Sequence, residues 1–230
     1  MSAHVRRALL VVLGALSSCL TSGASELDGT STIDFDAMTI GSSPAGFSGA
    51  LTGPGTPGDW VVREDPTIAG GRVLAQESRD TTDDRYPLCV LDGWFARDVR
   101  VAARFRAVDG TVDRAAGLVV RYRGPGDYYL VRANALEDNV RLYRVVGGRR
   151  TQFAGADVEV SAGEWHALRL DACGGRFAVA FDGAPLFTAE DDTWIGSGRI
   201  GLWTKADSVT WFDDLERGPV PEDSPARGQE

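Results

Sequence analysis

At 230 residues the chain is long enough for one sizeable core and too short for two ordinary enzyme domains. With 43% apolar and 25% charged residues, its composition is that of a globular protein, not a disordered one. The net charge of −9 becomes −11 once Arg6 and Arg7 leave with a cleaved leader, and such a surface repels phosphate backbones and anionic membranes. Nucleic acid is therefore excluded as an expected partner.

Residues 1–24 read as a signal segment, with Arg6 and Arg7 as the basic start and an apolar run over 8–16. Nine residues are too few to span a bilayer as a helix, which needs roughly 20. Two cleavage readings stand. Leu16-Ser17-Ser18-Cys19 matches a lipobox, which would make Cys19 the lipidated first residue of a lipoprotein. Ser22-Gly23-Ala24 instead offers the small residues of ordinary signal cleavage. Either way export is expected, to the periplasm, the outer membrane or the extracellular space. Membrane contact is expected only through a lipid on Cys19.

A single domain is expected over 31–217. Residues 42–59, rich in Gly, Pro, Ser and Thr, read as a long surface connection. Next, Val99, Val101, Ala103 and Phe105 alternate with Arg100, Ala102, Arg104 and Arg106, the period of two of a half-buried strand. Further strands are predicted over 116–121, 128–133, 139–146, 165–171, 176–181, 199–203 and 209–215. Gly174-Gly175 and Asp182-Gly183 supply hairpin turns around the strand over 176–181. No stretch carries a helical stripe with caps. Strands in this number and spacing predict an all-β fold, a two-sheet antiparallel β-sandwich or jelly roll. Residues 218–230, with Gly-Pro-Val-Pro-Glu-Asp-Ser-Pro, are predicted to be a disordered tail.

Two long motifs carry a family resemblance. One is Arg121-Tyr122 with Asp127-Tyr128-Tyr129-Leu130-Val131-Arg132-Ala133-Asn134-Ala135-Leu136-Glu137-Asp138-Asn139-Val140 and Leu142-Tyr143. The other is Gly201-Leu202-Trp203-Thr204-Lys205-Ala206-Asp207-Ser208-Val209-Thr210-Trp211-Phe212-Asp213-Asp214-Leu215, and Gly163-Glu164-Trp165-His166 lies between them. The chain resembles the concanavalin A-like lectin/glucanase superfamily from about Ile33 to Leu215. More narrowly, it is similar to the 3-keto-disaccharide hydrolase (3-keto-glycoside lyase/hydratase) domain, formerly a domain of unknown function. The resemblance implies a carbohydrate or glycoside as partner. Activity does not follow from it, because one fold hosts many functions.

Strand parity selects the candidate ligand residues. Ile200 and Leu202 share one face of their strand, and Trp203 and Lys205 the other. Trp203 is either a platform for stacking a sugar ring or a sandwich-core tryptophan. Arg121, Arg132 and Arg141 fall on three successive predicted strands. With Asn134, Glu137 and Asn139 they form either a ligand-facing ladder of donors or a solvated face of cross-strand charge pairs. Lys205 is the only lysine in the chain. His166 shares parity with Leu168 and Leu170, which favours a structural histidine over a general base and leaves no second mature histidine for a triad.

The first reading is a glycan-binding module without catalysis. The alternative is an enzyme hydrolysing or eliminating 3-keto-glycosides, with Glu137 as base and Lys205 or Arg132 polarising the ketone. A structural or adhesion protein is the third. The Glu-x-Asp-x-x-Glu strand of family 16 glycosidases does not occur, so retaining hydrolysis by that arrangement is not expected. Asp36 and Asp213 could meet at the sandwich edge and hold a structural calcium, or be capping aspartates beside a turn. Cys89 and Cys173 are either a disulfide, worth roughly 4 kcal/mol by chain entropy, or two separate core thiols. Glu190-Asp191-Asp192 reads as a simple acidic turn.

Overall fold

The computed structural model describes residues 29–67 and 71–228. The predicted signal segment, 1–24, and the lipidation candidate Cys19 lie outside the described residues.

Among the described residues, fifteen strands form two antiparallel sheets. In chain order they are β1 Ser31–Ile33, β2 Phe47–Thr52, β3 Trp60–Glu64, β4 Arg72–Gln76, β5 Tyr86–Leu91, β6 Val99–Asp109, β7 Ala115–Gly124 and β8 Asp127–Asn134. They continue with β9 Asn139–Val146, β10 Arg149–Asp157, β11 Trp165–Cys173, β12 Arg176–Phe181, β13 Ala184–Glu190, β14 Arg199–Trp203 and β15 Val209–Gly218. Sheet I has the order β13-β12-β11-β6-β15-β4-β3, with β1 also paired to β15. Sheet II has the order β10-β9-β8-β7-β14-β5-β2. This is the expected all-β sandwich.

Alternation explains the main core. The inward residues of β6, Val99 to Phe105, meet Leu168 and Leu170 of β11 and Phe177 and Val179 of β12 in sheet I. Leu118, Val131, Leu142 and Leu202 face them from sheet II. The intervening arginines of β6 stay partly exposed, and Arg100 pairs with the buried Asp171 at 2.7 Å.

Sheet II has a second apolar cluster on its other face, containing Tyr86, Leu88, Leu130, Tyr128, Tyr143 and Trp203, all buried. An outward face can be this dry because the sheet curls over it, as twisted sheets do. Thr52, on edge strand β2, shares a hydrogen bond with the hydroxyl of Tyr128 on β8 (3.0 Å) and donates to the Pro125 carbonyl. From the opposite edge, the Arg150 guanidinium on β10 lies 4.8 Å from the Tyr86 ring on β5.

Three sequence expectations change. Residues 42–59 are not simply a surface connection, since β2 runs within them and pairs with β5 from Phe47↔Leu91 to Thr52↔Tyr86. Its alternation is too weak to read because it is a short edge strand in which small residues, Gly49 and Ala50, interrupt the pattern on both faces. Nor are residues 218–228 a disordered tail. Val220 and Ala226 are buried against Ala178, and Ser224 Oγ donates to Asp171 Oδ2 at 2.6 Å, capping a 3-10 turn over Pro225–Arg227. Burying Asp171 demands such donors. Cys89 lies in the core on β5 and Cys173 at the end of β11 in the other sheet, and both are free thiols, so no bridge joins them.

Candidate functional site

The site is built on the curled face of sheet II. At its centre is Trp203, paired in register with Leu88 on one side and Gly117 on the other. Gly117 is required there: a Cβ would stand 2.6 Å from Leu130 Cδ1 and 3.1 Å from Trp203 Cε3. The Tyr86 ring stacks on Trp203 at 5.4 Å. Arg150 closes the group, its guanidinium 4.5 Å from the Tyr143 ring and 5.7 Å from Trp203. Trp203 is thus fully buried, a core tryptophan under a tyrosine and an arginine and not an open stacking platform. Its indole N–H lies beside the Tyr128 hydroxyl without a hydrogen bond of normal geometry.

A polar cluster borders these rings. The Arg132 guanidinium lies 5.7 Å from the Tyr143 ring and donates to Glu137 Oε2 at 2.8 Å and to the Asn139 side chain. Asn139 in turn donates to Glu137 Oε2 at 3.1 Å. Asn134 donates to Asp113 Oδ1 at 3.0 Å, and Lys205 Nζ sits 3.0 Å from Asp113 Oδ2 and 2.6 Å from Asp83 Oδ1. Asp207 holds the loop that carries Asp113, accepting the backbone N–H groups of Thr111, Val112 and Asp113.

The electrostatics follow from burial and pairing. Burial lifts the Asp113 carboxyl above its ordinary value, against the pull of Lys205. Burial also works against the charged forms of Glu137 and Lys205, but their partners win. Arg132 and Asn139 hold Glu137 below the usual carboxylate range, and Asp83 and Asp113 hold Lys205 above the usual ammonium value. Glu137 is therefore a clamped anion and a weak base at neutral pH.

The structure brings together most of the residues singled out by sequence. Arg132, Asn134, Glu137, Asn139, Trp203 and Lys205 surround one region, and Arg141 is the direct cross-strand neighbour of Arg132. Arg141, however, turns outward to Asp157 at 2.5 Å. Arg121 leaves the ladder altogether. It sits in a bulge between β7 and β8 with φ of 52°, which flips its side chain inward, and the position opposite Arg132 is Gly117. There Arg121 is wholly buried and donates to the carbonyls of Arg97 (2.9 Å), Trp194 (2.6 Å) and Gly174 (2.6 Å). Gly198 passes so close to it that a Cβ would meet the Arg121 backbone at 2.4 Å.

Sequence reasoning missed Tyr86, Asp83, Asp113, Tyr143 and Arg150. Tyr143 was within reach, since it shares strand parity with Arg141. Arg150 lies on edge strand β10 and Tyr86 on β5, next to the opposite edge, and only the curl of the sheet joins them. Asp191 is more than a turn residue, accepting the Tyr129 hydroxyl at 2.6 Å and pairing with Arg144. His166 is structural, bonded through Nδ1 to Asp182 Oδ2 (2.8 Å) and through Nε2 to the Ser161 carbonyl (3.1 Å).

The calcium candidates are neighbours already engaged elsewhere. Asp36 Oδ1 accepts the Arg72 amide at 2.7 Å, and Asp213 Oδ1 accepts the Asp214 amide at 2.8 Å. Burial, aided by the charges of Asp214 and Asp36, lifts the Asp213 carboxyl to about 6. Among the described residues, no group of three or more His, Cys, Asp or Glu side chains is gathered to hold a metal ion.

A cleft of about 450 Å³ opens beside Arg150, lined by Asp84, Tyr86, Arg149 and Arg150 with the bare backbones of Gly53 and Gly148. The Tyr86 hydroxyl donates to Asp84 Oδ1 at 2.9 Å. The cleft offers carboxylate acceptors, guanidinium donors and one aromatic ring edge, the set that reads hydroxylated ligands.

No protein-family model matches the chain, and no curated protein sequence does. Solved structures match in fold. The carbohydrate binding module CBM66 from Bacillus subtilis superposes with a TM-score of 0.60 at 18% identity, over 75% of this chain and 95% of its own. The carbohydrate recognition domain of Emp47p superposes at 0.57 and 14% identity, over 87% and 100%. A Bacillus subtilis protein of unknown function with a galectin-like fold does so at 0.52 and 12%, over 74% and 89%. The chain therefore shares with these structures a two-sheet antiparallel β-sandwich, or jelly-roll, fold.

Proposed function

We propose that this protein is an exported glycan-binding module that takes its ligand at the mouth of curled sheet II. The observation that carries the reading is the cleft at Tyr86 and Arg150, where unspent polar groups meet an aromatic cluster at the surface. Two of the proteins that share the fold are described as a carbohydrate binding module and a carbohydrate recognition domain, which supports a sugar as the ligand class. The basic, then apolar, leader supports export, and Cys19 supports a lipid tether. Calorimetry or affinity electrophoresis of the mature protein against a broad polysaccharide panel tests the reading. Binding to at least one glycan, weakened on changing Tyr86 or Arg150, is expected. Silence across the panel contradicts it.

A second reading, chemistry on 3-keto-glycosides as the narrower family resemblance implies, draws on the buried Asp113, whose carboxyl is lifted beside Lys205 and Glu137. In that reading a carboxylate takes the acidic proton next to the ketone, and Lys205 or Arg132 stabilises the resulting enolate oxygen. Incubation with a 3-keto-glucoside and detection of released aglycone decides it. Release that is unchanged in Asp113→Asn, Glu137→Gln and Lys205→Ala rejects these roles.

A further inference from the structure

Several buried or half-buried arginines of this protein have their acceptors, whereas half-buried Arg106, Arg169 and Arg217 make no hydrogen bond or ion pair with a described residue and leave Nε unpartnered. Arg85 donates to the carbonyls of Thr56, Ala206 and Pro57, Arg100 pairs with Asp171, Arg121 holds three carbonyls, and Arg132 holds Glu137. Arg150 differs from Arg106, Arg169 and Arg217 in that its orphaned buried atom is a terminal nitrogen and its side chain lines a cleft. It is half-buried, and its guanidinium makes no hydrogen bond or ion pair with any described residue while Nη1 is buried without a partner. Three rings, Tyr86, Tyr143 and Trp203, surround it within 5.7 Å. Ring faces compensate a cation only in part, and a desolvated charge calls for an anion.

The surroundings of Arg150 select the kind of anion. A guanidinium is planar and presents a fork of N–H donors that matches a carboxylate through two parallel hydrogen bonds. Arg149, exposed on the same cleft, adds a second positive charge. Asp84 also lines the cleft, with one oxygen taken by Tyr86 and the other making no hydrogen bond with a described residue. A small inorganic anion would leave Asp84 unused and repelled. A sugar acid satisfies both groups, its carboxylate on the arginine and its hydroxyls on the aspartate.

We propose that the cleft is a subsite for a uronate residue, whose carboxylate pairs with Arg150 and whose ring hydroxyls bond to Asp84. The proposal rests on the glycan-binding reading and names the ligand class of that same site. The overall charge of −9 does not favour acidic polymers, so recognition has to be local.

The test compares oligogalacturonate and oligomannuronate with their methyl esters, which keep the ring and remove the charge, and with neutral oligosaccharides. Calorimetry on the mature protein is the readout. Esterification is expected to weaken binding at least tenfold. Arg150→Gln is expected to remove that difference, and Asp84→Asn to weaken acid and ester alike. Equal binding of acid and ester, or preference for a neutral glycan, overturns the uronate assignment and leaves the glycan-binding reading standing. Absence of binding to every saccharide overturns both. Should Arg150→Gln fail to fold, the comparison of acid with ester on the unaltered protein still decides.

Discussion

Lys205 Nζ lies 3.0 Å from Asp113 and 2.6 Å from Asp83, so the only lysine of the chain is held between a buried acid and an exposed one. Removing one partner of a buried pair strands the other charge and costs roughly 3–5 kcal/mol. Lys205→Met should therefore lower the urea midpoint sharply. Adding Asp113→Asn, which removes the stranded charge and keeps an acceptor for Asn134, should restore more than half of the loss. An additive double variant would show that the pair is not coupled in this way.

Asp213 predicts a pH dependence of stability. Its carboxyl is raised to about 6 by burial, against roughly 3.9 in an unfolded chain. Between these values the folded state binds more protons than the unfolded one, so stability contributed by this group is full below about pH 4 and is lost as pH rises through 6. The side chain is only 11% exposed, and the effect should be on the order of 2 kcal/mol. Asp213→Asn should raise the melting temperature at pH 7.5 and leave it unchanged at pH 4. A gain equal at both pH values would reject the assignment.

Arg121 is expected to matter for stability and not for affinity. Its loss leaves three carbonyls without their donor, at about 1–3 kcal/mol for each that stays buried. Arg121→Met should thus cost about 3 kcal/mol or more in denaturant unfolding. The fraction that remains folded should bind glycan as the unaltered protein does.

The thiols give a direct chemical check. Reductant should leave the melting temperature unchanged, because Cys89 and Cys173 are not joined. In the native protein the half-exposed Cys173 should react with a thiol reagent, and Cys89 should wait for unfolding, since burial pushes its thiol well above the ordinary range.

What could be read from the sequence was whatever one strand states by itself. The alternation of Val99 to Phe105, the turns at Gly174-Gly175 and Asp182-Gly183, and the opposite faces of Leu202 and Trp203 all match the structure. Features that need two strands at once were hidden. Arg121 flips at a bulge that its own strand does not announce, and β10 looks polar because it is an edge. The meeting of Arg150 with Tyr86 depends on how far sheet II curls, a property of the whole sheet. Hence the polar margin from Arg132 to Lys205 was legible in part, and the cleft was not.

The central claim is that glycan binds at the mouth of sheet II, and a titration of the isotope-labelled protein followed by amide NMR tests it most directly. With the best ligand of the polysaccharide panel, shifts are predicted to concentrate at the amides of residues 53, 84–86 and 148–150. Shifts clustered on sheet I or at the Phe95 end of the sandwich, with these amides unmoved, would contradict it.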